Sequence, residues 1–197
     1  MSGTDPDWST ARGAYAELLG GALLAVFGLT TATGLEAFAR PGVPRTIAPF
    51  LLVPFGCLAV GTVQRARSTG CRAAGRIAAW GLAIGFTTAF GSLALLGLSV
   101  VGIPVDGPVL PGFVAGCALV PLASVSLGVG GRGPGGISAR EGALFAGWPV
   151  VAALCLGLFV LLGVGTVVLA TTVPLGVAVG LGGYVRSTPA SDGWRRR

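Results

Sequence analysis

The chain of 197 residues contains no histidine, no lysine and no asparagine, and Gln64 is its only glutamine. Each absence removes chemistry. Without histidine there is no HExxH zinc helix and no Ser-His-Asp triad. Without lysine there is no P-loop, and the GxSxG nucleophile motif is also missing. Charge is scarce as well: 10% of residues are charged, against ~25% in an average soluble domain. That excludes an ordinary soluble domain, a disordered chain and a soluble nucleic-acid binder. The four cysteines, Cys57, Cys71, Cys117 and Cys155, form no CxxC pair. Three of them lie in apolar blocks and read as small apolar filler. No catalytic residue, metal or cofactor is expected.

What is present is apolar and small. Hydrophobic residues make up 53% of the chain and glycine supplies 35 positions; the mean hydropathy is +0.84. The apolar residues come in long blocks, best counted in membrane spans of ~20 residues. The expected fold is an all-α membrane protein, a bundle of about six transmembrane helices. Residues 1–15 form a cytoplasmic N-terminal segment, 16–185 the six-helix domain and 186–197 a cytoplasmic Arg-rich tail. Ala37-Phe38-Ala39 has the small-x-small form of a cleavage site. The acidic start and the length of the first apolar stretch instead favour an uncleaved span.

The six spans fall at about Ala16–Phe38, Thr46–Val63, Ile77–Val101, Val109–Val129, Ala143–Leu162 and Thr166–Tyr184. The last two are separated because the uncharged block 143–185 would be about 65 Å long as one helix, twice a ~30 Å hydrocarbon core. Gly163-Val164-Gly165 is the natural turn. Gly102 to Pro108 is another, and Gly130 to Gly136 reads as a flexible linker.

All thirteen basic residues are arginines, the usage of a high-GC prokaryotic genome. Eleven fall on the side that carries both termini and only Arg40 and Arg45 on the other. The positive-inside rule then places both termini in the cytoplasm and the protein in the cell (plasma) membrane. Tyr15, Trp80, Trp148 and Tyr184 fall near the same ends of the spans, where amphipathic rings settle. Arg65, Arg67, Arg72, Arg76, Arg195, Arg196 and Arg197 are candidates for contact with anionic lipid.

The most polar features inside the spans are three pairs, Thr30-Thr31, Thr87-Thr88 and Thr171-Thr172. Converging hydroxyls would line a polar path; the alternative is a hydroxyl that bonds its own i−3 or i−4 carbonyl. None of the seven acids lies mid-span, so no intramembrane carboxylate pair is expected. The segment Gly28–Ala37 matches Gly85–Ala94 at six of ten positions. This is either a duplicated two-helix hairpin or chance in a low-complexity alphabet. Prolines 49, 54, 121, 149 and 174 interrupt four spans.

Two functions follow. The first is a non-catalytic structural or accessory subunit that packs on lipids, on its own copies or on other membrane subunits through small-residue faces. The alternative is a small transporter or channel for a small solute or ion.

Overall fold

The computed structural model describes residues 8–33, 43–70, 73–105, 107–132, 136–162 and 167–188; side chains are not described at 8–10, 31–33, 43–49, 100, 162 and 167–169. The described residues form six α-helices: α1 (Trp8–Thr33), α2 (Val43–Ser68), α3 (Ala73–Val100), α4 (Val109–Gly130), α5 (Ala139–Leu162) and α6 (Val167–Ser187). The protein is an all-α membrane bundle. Four helices contain stretches long and apolar enough to cross a bilayer: Ala11–Thr30, Ala73–Ser99, Val109–Gly130 and Ala139–Leu161.

Helix limits differ from the sequence expectation at the charged ends. α1 begins at Trp8, inside the segment expected to precede the membrane. Arg65 and Arg67 belong to the last turn of α2 and Arg76 to the start of α3, so the expected Arg-rich loop is largely helical. Arginine is a good helix former, and cations are favourable at a helix C-terminus. The Gly163–Gly165 turn lies outside the described residues. At the turn after α3, Gly102 takes φ +85° and the Ile103 N–H donates to the Leu98 carbonyl. A side chain at Gly102 would be strained there.

The helices form a closed ring in chain order. Among the described residues, the backbone of each helix comes close only to that of its two chain neighbours, and α6 returns onto α1; larger side chains reach across the ring. Glycine makes the seams. A Cβ on Gly21 of α1 would lie 2.5 Å from the Gly176 carbonyl oxygen of α6, and one on Gly116 of α4 would lie 2.8 Å from the Gly85 oxygen of α3. In lipid no hydrophobic effect drives helices together, so such close backbone approach supplies the van der Waals adhesion. The two sequence segments that resemble each other are used differently: Gly28 packs on Thr172 and Val173 of α6, Gly85 on Gly116 and Val120 of α4.

Candidate functional site

Consecutive helices alternate in direction, so one end of the ring gathers the starts of α1, α3 and α5 and the ends of α2, α4 and α6. At that end Arg65 is 1% exposed. Its Nε donates to Glu17 Oε1 at 2.8 Å and its Nη2 to Glu17 Oε2 at 2.6 Å. Its Nη1 donates to Glu141 Oε1 at 3.0 Å. Arg186 Nη1 closes the group on Glu17 at 3.1 and 3.2 Å. Two carboxylates and two guanidiniums thus form a neutral quartet that ties α1, α2, α5 and α6 together.

Local sequence makes room for these charges. A Cβ on Gly61 would lie 2.5 Å from Glu17 Cγ, and one on Gly183 would lie 3.0 Å from Glu17 Cβ. Phe145 is fully buried, with its ring 4.7 Å from the Arg65 guanidinium carbon, within cation–π range. Glu141 does a second job. The Ser138 N–H donates to Glu141 Oε2, and the Glu141 N–H donates to Ser138 Oγ. This is a capping box that starts α5. On the terminal side of the quartet lies a polar hollow of about 190 Å³, walled by Arg65, Arg186, Glu141, Ser68 and Thr69.

These observations correct one expectation. Arg65 does not face lipid; its charge is spent on Glu17 and Glu141. Glu17 and Glu141 lie toward the terminal ends of their helices, as expected of acids that avoid mid-span, and are joined through Arg65. The signal that was available is Ser138-x-x-Glu141, the capping-box pattern ahead of an apolar run. Glu17 offered none, since its partner is 48 positions away.

Further along the axis the ring encloses a cavity of about 570 Å³ to which all six helices contribute. Its wall carries five aromatic rings: Phe27, Phe55, Phe86, Phe113 and Trp148. Phe55 touches both Phe86 and Phe113 at ring-centroid distances of 6.0 Å, within the usual range for aromatic pairs. Polar groups are few. Thr171 and Thr172 line the cavity, and the buried Trp148 Nε1–H finds no acceptor among the described residues. Trp148 is thus a cavity residue and not a ring at the membrane interface.

Of the other threonines, Thr30, Thr87 and Thr88 are exposed and outside the cavity wall. The Thr30 hydroxyl donates to the Phe27 carbonyl of its own helix at 2.9 Å. The side chain of Thr31 lies outside the described residues. Arg67 and Arg76 are exposed; Arg72, Arg195, Arg196 and Arg197 lie outside the described residues. Among the described residues no group of histidine, cysteine, aspartate and glutamate is arranged to hold a metal. Compared with family models, curated proteins and solved structures, the chain matches none of them.

Proposed function

We propose that the chain is a non-catalytic, six-span protein of the cell membrane that holds a small apolar molecule in its axial cavity, with the arginine-rich end cytoplasmic. The observation that carries this reading is the cavity itself. Its volume lies in the ~300–1,000 Å³ range of small-molecule sites, every helix contributes to it and its wall is aromatic and aliphatic. A bundle serving only as a scaffold would gain by filling such a space, because voids cost packing energy. The quartet stoppers the ring at the terminal end, which suits a holder better than an open channel. The lining does not suit a bare ion, which requires several oxygen ligands in place of its water. The small-residue faces are mostly spent on seams within the chain, which leaves fewer of them for a partner. Arg67 and Arg76 stand where anionic headgroups would be.

The test is to purify the protein in mild detergent and identify by mass spectrometry the apolar molecules that accompany it. Ala152 is buried in the cavity wall, and Ala152→Phe would fill the space. At least a threefold fall in the bound species is expected. Equal amounts in the two proteins would refute the reading.

A second reading, an accessory subunit of a membrane assembly, is favoured by α5, whose outer half is exposed nearly all round. Native mass spectrometry checks it: a persistent lone monomer counts against it.

A further inference from the structure

α5 is two half-helices with different fates. The inner half is anchored. Glu141 is bonded to Arg65 and to the Ser138 cap, and Phe145 and Trp148 are buried. A Cβ on Gly142 would lie 2.8 Å from the Gly128 carbonyl oxygen of α4. The outer half is not anchored. From Val150 to Leu161 only Ala152 is buried, Leu154 and Leu161 are 70% and 83% exposed, and a Cβ on Gly157 would meet nothing within 4 Å. Between the halves stands Pro149, inside the helix. It has no N–H to give the Phe145 carbonyl and so weakens the helix at that level.

The same outer half walls the cavity. Ala152, Ala153 and Leu156 line it together with Cys117 and Pro121 of α4, and Ala153 is exposed although it belongs to the wall. Of the six seams of the ring, the α4–α5 seam is the most sparsely packed, so the cavity wall is thinnest toward lipid there. The seam is pinned at the terminal end by the Gly128–Gly142 approach, and beyond that point α5 is barely covered. What lies outside such a seam is the hydrocarbon of the bilayer. A molecule that enters there leaves one apolar phase for another, and its headgroup can remain at the interface.

We propose that the outer half of α5 is a lateral door hinged at Pro149, and that it admits the hydrocarbon chain of a membrane lipid to the axial cavity. This rests on the reading of the cavity as a ligand site. The hinge sits beside the quartet-held inner half, so the door moves while the ring stays closed at its terminal end. Trp148, next to the hinge and within the cavity wall, offers the entering chain an apolar ring.

The experiment uses the full chain reconstituted in vesicles of phosphatidylethanolamine and phosphatidylglycerol with deuterated acyl chains. The protein is then diluted into micelles that contain the unlabelled lipids. Native mass spectrometry follows the deuterated lipid still bound with time. Wild type is expected to carry deuterated lipid and lose it steadily. Pro149→Ala, which restores the missing N–H, is expected to lose it at least tenfold more slowly. Ala152→Phe is expected to carry less than a third as much at the outset. In wild type, hydrogen exchange at 150–161 should outpace that at 139–148, and Pro149→Ala should narrow the difference. Equal release rates for wild type and Pro149→Ala, or equal exchange in the two halves of wild-type α5, would overturn the door and leave the ligand site standing. If wild type carries no more deuterated lipid than Ala152→Phe, the ligand site itself fails.

Discussion

Arg65 of α2 grips Glu17 of α1 through two parallel contacts, 2.8 and 2.6 Å long, with both side chains at or below 1% exposure. The bidentate fork is the strongest geometry open to a guanidinium and a carboxylate. Its value here is conditional. Burying both ions costs desolvation that their attraction merely offsets, whereas deleting one partner strands the other. The quartet therefore acts more as a register pin for four helices than as a net source of stability.

Glu17→Gln removes one charge and leaves a buried excess of one positive charge. A loss of about 3–5 kcal/mol is expected, as for other broken buried pairs. Arg67→Gln, two residues from Arg65 but exposed, should stay within about 0.5 kcal/mol of wild type. Thermal unfolding in detergent compares the two; similar melting temperatures for both variants would show that the quartet carries no such weight.

The glycine seams make a graded prediction. Gly176→Ala would place a Cβ 2.6 Å from the Gly21 oxygen and 2.7 Å from the Ala25 nitrogen, both backbone atoms. The helices must part, at a cost of about 1–3 kcal/mol. Gly91→Ala meets nothing within 4 Å and should be neutral or slightly stabilising, because alanine is the better helix former. Denaturation in mixed micelles would separate the two; equal effects would argue against the ring geometry.

Phe145 serves Arg65 and the core at once. Phe145→Ala should cost about 3–5 kcal/mol through the void it leaves and the lost cation–π contact. Phe145→Leu restores much of the volume without the ring and should recover more than half of that loss. If leucine and alanine destabilise equally, packing is not the main role of the ring.

Threading is open to a direct check. A reporter fused after Arg197 should be active on the cytoplasmic side, and one inserted in the Gly102–Pro108 turn on the opposite side. Two reporters on one side would overturn the six-span arrangement.

Much of the fold was legible in the sequence, because the bilayer imposes a strong and local constraint. A backbone in hydrocarbon must satisfy its own hydrogen bonds, so long apolar blocks become helices whatever their neighbours. Six blocks gave six helices. Helix limits are less legible, because charge at the end of an apolar block resembles a loop. An isolated charge avoids lipid, which predicts Glu17, Arg65 and Glu141 at the edges of spans; paired and hydrogen-bonded charges are buried more readily.

What the sequence determined by itself was class and material: an all-helical membrane chain, poor in catalytic groups and rich in residues small enough for close helix contact. Which helices meet, and what they enclose, was decided only by the tertiary structure. The Glu17–Arg65 pair spans 48 positions and the Arg186–Glu17 pair spans 169. No local period encodes such separations. Likewise, Phe27, Phe55, Phe86, Phe113 and Trp148 belong to five different helices, and each alone is an ordinary apolar residue of a membrane helix. They become one cavity wall only when the ring closes α6 onto α1, because the inner face of a helix is defined by its neighbours and not by its own sequence.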